Sequence, residues 1–231
     1  MVATVVRIAV CSLFILLIHR GRYSPAPDPD GRARREYIEV ALIAAGLLIV
    51  PHLRFDLVWY SGWLSAYLVF GVLAPLLMEL LVRKRPLSVI GFQTPSNAKT
   101  LAMVGVIFVL VLASRLAAPL LSGRGLVLEW RGFISTAVVF PFLEEVLFRG
   151  LIQTRLESAL GAVRSWVLTG LGFGAYHYYV HYFVLGQELT AEGMLGLVYL
   201  VAFGMLLGVV FAKTRSLLPP VLLHAINNVS L

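Results

Sequence analysis

Long apolar runs separated by short polar connectors dominate the chain. The runs predict helices at roughly 2–19, 37–53, 57–82, 100–121, 133–156, 164–181, 194–212 and 217–231. Most of them have the length that an α-helix needs to cross a bilayer, about 17–25 residues, and the last is short for a full span. We therefore expect an all-α, polytopic transmembrane bundle of about eight helices that encloses a buried polar site.

The composition supports a membrane protein. The chain has 231 residues, of which 59% are hydrophobic and 13% are charged, and its mean hydropathy is +0.88. Residues 1–231 are predicted to form a single integral membrane domain, with the chemical motifs confined to a core at 133–231. Cys11 is the sole cysteine, so a disulfide framework and a cysteine-based metal site are excluded. The first run lacks a small-residue cleavage site, and we expect it to be a retained helix.

The net charge of +7 reflects membrane orientation and predicts no nucleic-acid partner. The opposite connectors hold three bases, Arg54, Arg124 and Arg131. The other bases fall in alternate connectors and are Arg20, Arg22, Arg32, Arg34, Arg35, Arg83, Lys84, Arg85, Lys99, Arg155, Arg164, Lys213 and Arg215. The positive-inside rule makes this larger set cytoplasmic and puts both termini outside. The small chain and its basic connectors predict a multi-pass protein of a prokaryotic inner membrane.

Ionisable groups occur within the predicted helices, where the bilayer makes them costly. Glu144 and Glu145 are adjacent in the fifth helix, and Arg149 follows. Glu145 and Arg149 are four residues apart, so they share a helix face and can form an ion pair. Glu144 points about 100° away and needs a different partner. The spacing predicts that Arg149 holds Glu145 while Glu144 is free to titrate; the alternative is a charged patch at the helix end.

Two later helices add imidazoles and a carboxamide. His177 lies four residues after Phe173, and His181 follows four residues later at an aromatic helix end that is typical of a membrane interface. His224 and Asn228 are also four apart and share a face of the last helix. A single buried histidine is more often a core residue than a catalyst. Three helices that each bring polar groups into the bilayer predict one shared site. Other ionisable groups in predicted helices are Arg7, Glu79 and Arg115.

The chemistry predicted for this set is the activation of water. A carboxylate in an apolar pocket suits the role of general base, and a neighbouring imidazole can orient the water. A second imidazole and a carboxamide can donate hydrogen bonds to an oxyanion. Zinc bound by Glu144, His177 and His224 is the alternative, although the chain has no H-E-x-x-H motif. No cofactor is implied by the residues, and no nucleophilic serine or cysteine arrangement is recognisable.

At these residues the sequence resembles the CAAX-processing and bacteriocin-processing endopeptidase family, membrane proteases related to the type II CAAX prenyl endopeptidase. The family pattern is E-E-x-x-x-R, then F-x-x-x-H, then H-x-x-x-N on successive helices. The chain matches it in order with Glu144-Glu145 and Arg149, Phe173 and His177, and His224 and Asn228. The resemblance covers roughly residues 133–231, and the first four predicted spans carry no matching motif.

The resemblance implies an intramembrane endopeptidase that acts on a membrane-associated protein or peptide, prenylated in some relatives. It implies that Glu144 is the water-activating base, His177 its partner, and His224 with Asn228 the oxyanion side. Glu145 and Arg149 would organise the site, and the mechanism would need no metal. A proton-coupled transporter and a non-catalytic membrane scaffold are the alternatives. The charge-based topology places Glu144 near mid-membrane and predicts that the site opens toward the outer half. The sequence does not predict which residues bind substrate, or the oligomeric state.

Overall fold

The computed structural model describes residues 1–21, 23, 33–49, 52–53, 67–121 and 130–229. Within these ranges the structure contains eight helices and no strand, which confirms the all-helical fold class. The helices are α1 (Val2–His19), α2 (Ala33–Ile49), α3 (Tyr67–Val82), α4 (Ala98–Leu121), α5 (130–160), α6 (162–184), α7 (Ala191–Thr214) and α8 (Leu218–Asn228). A short 3₁₀ helix, Leu87–Ile90, lies in the connector between α3 and α4.

The helices begin and end at different residues from those that the sequence predicts, mainly in α2, α5 and α6. The helix predicted at 37–53 is observed four residues earlier, and the fifth and sixth helices extend beyond both predicted ends. These two helices contain wide π-type turns at Ile134–Val139, Val146–Gln153 and Tyr179–Val184. Among the described residues, six bases that the sequence analysis assigned to connectors lie within helices: Arg34, Arg35, Lys99, Arg155, Arg164 and Lys213. Residues 57–66 of the predicted third helix, and most of the polar connector after α1, lie outside the described ranges.

Within the described ranges, three helices are long and apolar enough to cross a membrane: α1, α4 and α7. Their apolar stretches are Val2–His19, Ala98–Ala117 and Ala191–Thr214, with mean hydropathies of 2.3, 2.2 and 2.5. Many of their large apolar side chains point away from the bundle, as lipid-facing side chains do. The shorter apolar helix α3 accompanies them. The chain is therefore an integral membrane protein.

The directions of the helices follow from contacts at their ends. At one end of the bundle the ammonium group of Met1 lies 3.2 Å from Glu192 at the start of α7. At the other end Lys213 Nζ donates to the carbonyl of Gly21 over 2.6 Å. These contacts make α1 and α7 parallel. Ser96, just before α4, donates its backbone N–H to Thr214 at the end of α7, so α4 runs the opposite way.

Glycines allow α6 and α7 to pack closely. Gly170 and Gly174 of α6 face α7, where Gly204 and Gly208 show the same four-residue spacing. A Cβ atom on Gly170 would lie 2.7 Å from the backbone nitrogen of Met205, and one on Gly204 would lie 3.1 Å from the Gly170 Cα. Small residues at this spacing let the backbones of membrane helices approach each other. This contact brings the α6 face that carries Phe173 and His177 into the centre of the bundle.

A buried ionic cluster joins α2, α3 and α5, and the sequence analysis did not foresee it. Arg85 lies 2.9 Å from Glu36 and 3.2 Å from Glu79, while Arg155 lies 3.1 Å from Glu39 and also contacts Glu79. Three acids and three bases make up this ionic cluster: Glu36, Glu39, Glu79, Arg83, Arg85 and Arg155. Each of the six side chains is at most 10% exposed. Because the formal charges balance, the cluster can be buried at the end of the bundle.

Candidate active site

Arg149 and Glu145 form the ion pair that their spacing predicts, and both side chains are fully buried. Arg149 Nη1 donates to Glu145 Oε1 over 2.9 Å. Its second nitrogen donates to the carbonyl of Gly204 in α7 over 2.8 Å. The guanidinium also lies 5.0 Å from the centre of the Phe173 ring, a cation–π contact. Arg149 therefore links α5, α6 and α7 around the carboxylate of Glu145.

Glu145 also holds an imidazole from the last helix. His224 Nδ1 lies 2.8 Å from Glu145 Oε1. Because a carboxylate accepts hydrogen bonds, the imidazole donates from Nδ1 and its Nε2 faces away from Glu145. The ring also packs edge-on against Phe173 and Phe203, with centroids 5.7 and 5.6 Å apart. These contacts fix the orientation of His224, whose side chain is 4% exposed.

His177 is oriented by its own helix. Its Nδ1 lies 2.9 Å from the carbonyl oxygen of Phe173, one turn earlier in α6. A carbonyl can only accept, so Nδ1 carries the hydrogen and the neutral ring presents the lone pair of Nε2. The ring packs against Phe173 with a centroid separation of 4.3 Å. The F-x-x-x-H spacing thus lets Phe173 pack its ring against the imidazole and orient it through the backbone carbonyl.

Both imidazoles converge on Glu144, and the side chains of Glu144, His177 and His224 form the Glu144 group. Glu144 Oε2 lies 3.6 Å from His224 Nε2 and 3.9 Å from His177 Nε2. Both separations exceed a direct hydrogen bond, and polar groups at this distance are commonly bridged by water. The side chains of Glu144 and His177 are 14% and 18% exposed, so the group is accessible at these two residues. Glu144 lies 14 residues into α5 and 16 before its end, which places the group near the middle of that helix.

Asn228 lies at the edge of this group. Its amide nitrogen donates to the carbonyl of Thr136 over 3.1 Å, two turns before Glu144 in α5. His224 and Asn228 thus contact the same helix at different heights. This bond uses one of the two amide hydrogens. His181 has a different partner, Gln187, at 3.1 Å in an exposed part of the structure.

The sequence analysis missed two tyrosines near Glu144 and the buried Gln153 further along α5. The rings of Tyr67 and Tyr176 stack with centroids 6.0 Å apart, and both lie within electrostatic reach of Glu144. Their hydroxyl groups are buried and have no hydrogen-bond partner among the described residues. Gln153, one turn after Arg149, donates to the carbonyl of Gly208 over 2.9 Å. Tyrosines are common at membrane interfaces, so the sequence alone gave these two no special role.

Among the residues that the structure describes, no group of three or more His, Cys, Asp or Glu side chains is placed to hold a metal ion. The arrangement around Glu144 can instead do acid–base chemistry. One carboxylate faces two imidazole nitrogens, and each imidazole is fixed by a hydrogen bond at its other nitrogen. A water molecule in contact with Glu144 would meet a proton acceptor and a second polar atom that orients it.

A family model matches the part of the chain that carries this arrangement. Residues 126–230 match the family described as type II CAAX prenyl endopeptidase Rce1-like. This region is Rce1-like. The match confirms the resemblance that the three motifs indicated. No curated protein and no solved structure shows significant similarity to the chain.

The Rce1-like region begins just before α5 and extends through α8. It contains the whole Glu144 group, whereas the nearby Tyr67 lies outside it. Helices α1 to α4 lie outside it. The family is one of membrane-embedded proteases that hydrolyse peptide bonds, so the match supports protease activity at the level of the family.

Proposed function

We propose that the chain is an endopeptidase in which Glu144 activates a water molecule for attack on a peptide carbonyl. The observation that carries the proposal is the convergence of His177 Nε2 and His224 Nε2 on Glu144 Oε2, at 3.9 and 3.6 Å. Both distances are too long for a direct hydrogen bond, and a water molecule can bridge the two atoms. No second function has a comparable observation in its favour.

In the proposed first step, Glu144 takes a proton from water as the water oxygen bonds to the peptide carbonyl carbon. His177 Nε2 accepts a hydrogen bond from the other O–H of that water, which stays on the attacking oxygen, and so fixes its orientation. Its Nδ1–H is held by the Phe173 carbonyl at 2.9 Å, which makes Nε2 the acceptor of the neutral ring. In the second step the protonated Glu144 passes its proton to the leaving amine as the C–N bond breaks, which restores the carboxylate.

The negative charge that forms on the carbonyl oxygen needs a hydrogen-bond donor. We propose His224 for this role, acting as an imidazolium that donates from Nε2. Nδ1 already donates to the buried Glu145 carboxylate over 2.8 Å, so donation from Nε2 requires a hydrogen on both ring nitrogens. Asn228 contributes through the amide hydrogen that its bond to Thr136 leaves over. Glu145 and Arg149 act as positioning residues, because their contacts are with His224 and with α7. Tyr67 and Tyr176 offer two further hydroxyl donors near the same carboxylate.

The substrate in this proposal is a protein or peptide that is itself bound to the membrane, with a prenylated chain as one chemical class. The site lies midway along α5, and Glu144 and His177 are its accessible side chains. A substrate therefore has to present its scissile bond within the bilayer. The proposed location is the inner membrane of a prokaryotic cell. No metal takes part in the proposed steps.

The test is a comparison of membrane proteomes from cells that make the wild-type chain or the Glu144→Gln variant at equal levels. Glutamine keeps the shape of the side chain and cannot accept the proton from water. We expect one or more membrane proteins to accumulate as longer precursors in the variant cells. The N-termini or C-termini that cleavage creates in wild-type cells should be missing there. Glu188→Gln is the matched control, since Glu188 is an exposed carboxylate outside the site. Identical termini in all three cell lines would contradict the proposal.

A further inference from the structure

An apolar cavity lies between α1, α4, α7 and α8. Its volume is about 530 Å³, within the range typical of ligand sites. Most of its lining is aliphatic, with Phe203 on its inner wall. Phe203 also packs against the ring of His224, with centroids 5.6 Å apart. The cavity is thus separated from the Glu144 group by one aromatic layer.

Two guanidinium groups line this apolar cavity, and none of the described lining residues is acidic. Arg115 of α4 donates to the backbone oxygen of Asn227 and lies 3.5 Å from its side-chain oxygen. Arg7 of α1 lies 5.9 Å from the centre of the Tyr199 ring. The two cations are close enough to repel each other electrostatically. An arginine within a membrane helix is costly without an anionic partner, and here two arginines share one space.

Both arginines lie at a similar depth from the same end of the bundle. Arg7 is five residues after the start of α1, and Arg115 is six residues before the end of α4. These positions correspond to about 8–9 Å along each helix. A long cationic side chain this close to a helix end can reach the phosphate of a lipid.

The cavity is open to the surrounding lipid. Helix α1 packs mainly on α7, α4 packs mainly on α8, and direct contact between α1 and α4 is slight. Val6 and Leu110, which line the cavity from these two helices, are 55% and 52% exposed. The opening between α1 and α4 therefore faces the bilayer side of the bundle and leads inward past apolar side chains to the two arginines.

We propose that this cavity binds an anionic membrane phospholipid, with the phosphate between Arg7 and Arg115 and an acyl chain along the apolar lining. Arginine suits this ligand because its planar guanidinium can donate two parallel hydrogen bonds to phosphate. Tyr199 and Asn227 complete the polar end, joined by a hydrogen bond of 2.5 Å. The lipid thereby connects α1 and α4, which lie outside the Rce1-like region, to α8, which carries His224.

The test is native mass spectrometry of the full-length protein, purified in detergent and given phosphatidylglycerol or phosphatidylcholine with identical acyl chains. We expect one phosphatidylglycerol molecule to be retained at collision energies that strip phosphatidylcholine. Arg7→Gln and Arg115→Gln should each weaken that retention about tenfold, the effect of losing one charge-assisted contact. Arg164→Gln is the matched control, because Arg164 is an exposed arginine at the start of α6, and it should bind like the wild type.

Several outcomes would overturn the proposal. Equal retention of both lipids would mean that the arginines do not select the anionic headgroup. Equal weakening by Arg164→Gln would mean that net charge, not the cavity, attracts the lipid. Thermal stabilisation by inorganic phosphate as strong as that by phosphatidylglycerol would assign the site to a small soluble anion. A dimer that disappears in Arg7→Gln would assign the cavity to a second copy of the chain. Arg7→Gln changes a side chain with no hydrogen bond among the described residues, so it tests binding even if Arg115→Gln fails to fold.

Discussion

His224 donates a hydrogen bond to Glu145 over 2.8 Å and so fastens the last helix to the fifth. The same carboxylate oxygen accepts from Arg149 over 2.9 Å. Glu145 is thus a shared anchor for a cation from its own helix and an imidazole from α8. The neighbouring Glu144 is left to face the two Nε2 atoms. Two adjacent acids thereby have different surroundings: Glu145 is fully buried and paired with Arg149, whereas Glu144 is partly exposed and faces two imidazole nitrogens.

Replacing Arg149 with alanine is expected to destabilise the protein strongly. The change leaves Glu145 buried without its cation and also removes the bond to Gly204. Breaking a buried ion pair from one side costs about 3–5 kcal/mol. The measurement is thermal unfolding in detergent, with Arg164→Ala as the exposed control. An unchanged melting temperature in Arg149→Ala would mean that Glu145 is hydrated or protonated in the folded protein.

Replacing Glu144 with glutamine is expected to remove peptide cleavage and leave folding intact. Loss of a general base lowers the rate by about 10²–10⁴-fold. The purified variant should unfold at the wild-type temperature, since Glu144 makes no direct hydrogen bond to either histidine at 3.6 and 3.9 Å. Near-normal turnover with any peptide that the wild type cuts would assign the base to another residue.

The two histidines of α6 are expected to differ in importance. His177 faces Glu144, whereas His181 bonds to Gln187 near an exposed end of the helix. We expect His177→Ala to lose most of the cleavage activity and His181→Ala to keep most of it. Their rings are stacked with centroids 6.3 Å apart, so the pair is a stringent comparison. Equal losses would instead indicate a site that uses both imidazoles.

The contact between α6 and α7 is expected to tolerate no side chain at Gly170. A Cβ atom there would lie 2.7 Å from a backbone nitrogen and 2.9 Å from the Cα of Met205, so the helices would have to separate. Overpacking of this kind costs about 1–3 kcal/mol. Gly172→Ala is the matched control on the same helix, because nothing lies within 4 Å of its Cβ position. Thermal unfolding of Gly170→Ala and Gly172→Ala in parallel measures the difference, and equal stability would contradict the packing.

The charge distribution predicts which loops face outward, and labelling with a membrane-impermeant thiol reagent tests it. The natural Cys11 is buried, so background labelling should be low. We expect Glu188→Cys to be labelled in intact cells and Arg164→Cys to be labelled only after the cells are opened. The reverse pattern would invert the topology and turn the Glu144 group toward the opposite side of the membrane.

Local spacing was enough to predict the helices and the Glu145–Arg149 pair, because residues four apart meet on one helix face. It was also enough to group Glu144, His177 and His224, since each is an ionisable residue whose burial in an apolar run costs free energy. Whether these residues carry the catalytic roles assigned to them stays a prediction. The π-type turn at Val146–Gln153 gave no sequence signal, and such turns often occur at functional sites.

The ionic cluster shows what local spacing cannot supply. Arg85 pairs with Glu36, 49 residues away, and Arg155 pairs with Glu39, 116 residues away. In the sequence these arginines resemble solvated loop charges that mark the cytoplasmic side. Only the packing of α2, α3 and α5 brings the acids to them. Asn228 is a similar case, because its bond to Thr136 depends on where α8 crosses α5.

Arg149 and Gln153 are one turn apart in α5, and they donate to Gly204 and Gly208, one turn apart in α7. Because the donors and the acceptors have the same spacing, the two bonds set the register of the parallel helices α5 and α7. A slide of one turn would leave one buried donor without an acceptor, a loss of about 1–3 kcal/mol or more for a charged group. Helices α5 and α7 should therefore move as one rigid unit. Any motion that admits a peptide to Glu144 has to come from helices outside this unit, such as α6 with His177, α8 with His224 or α3 with Tyr67.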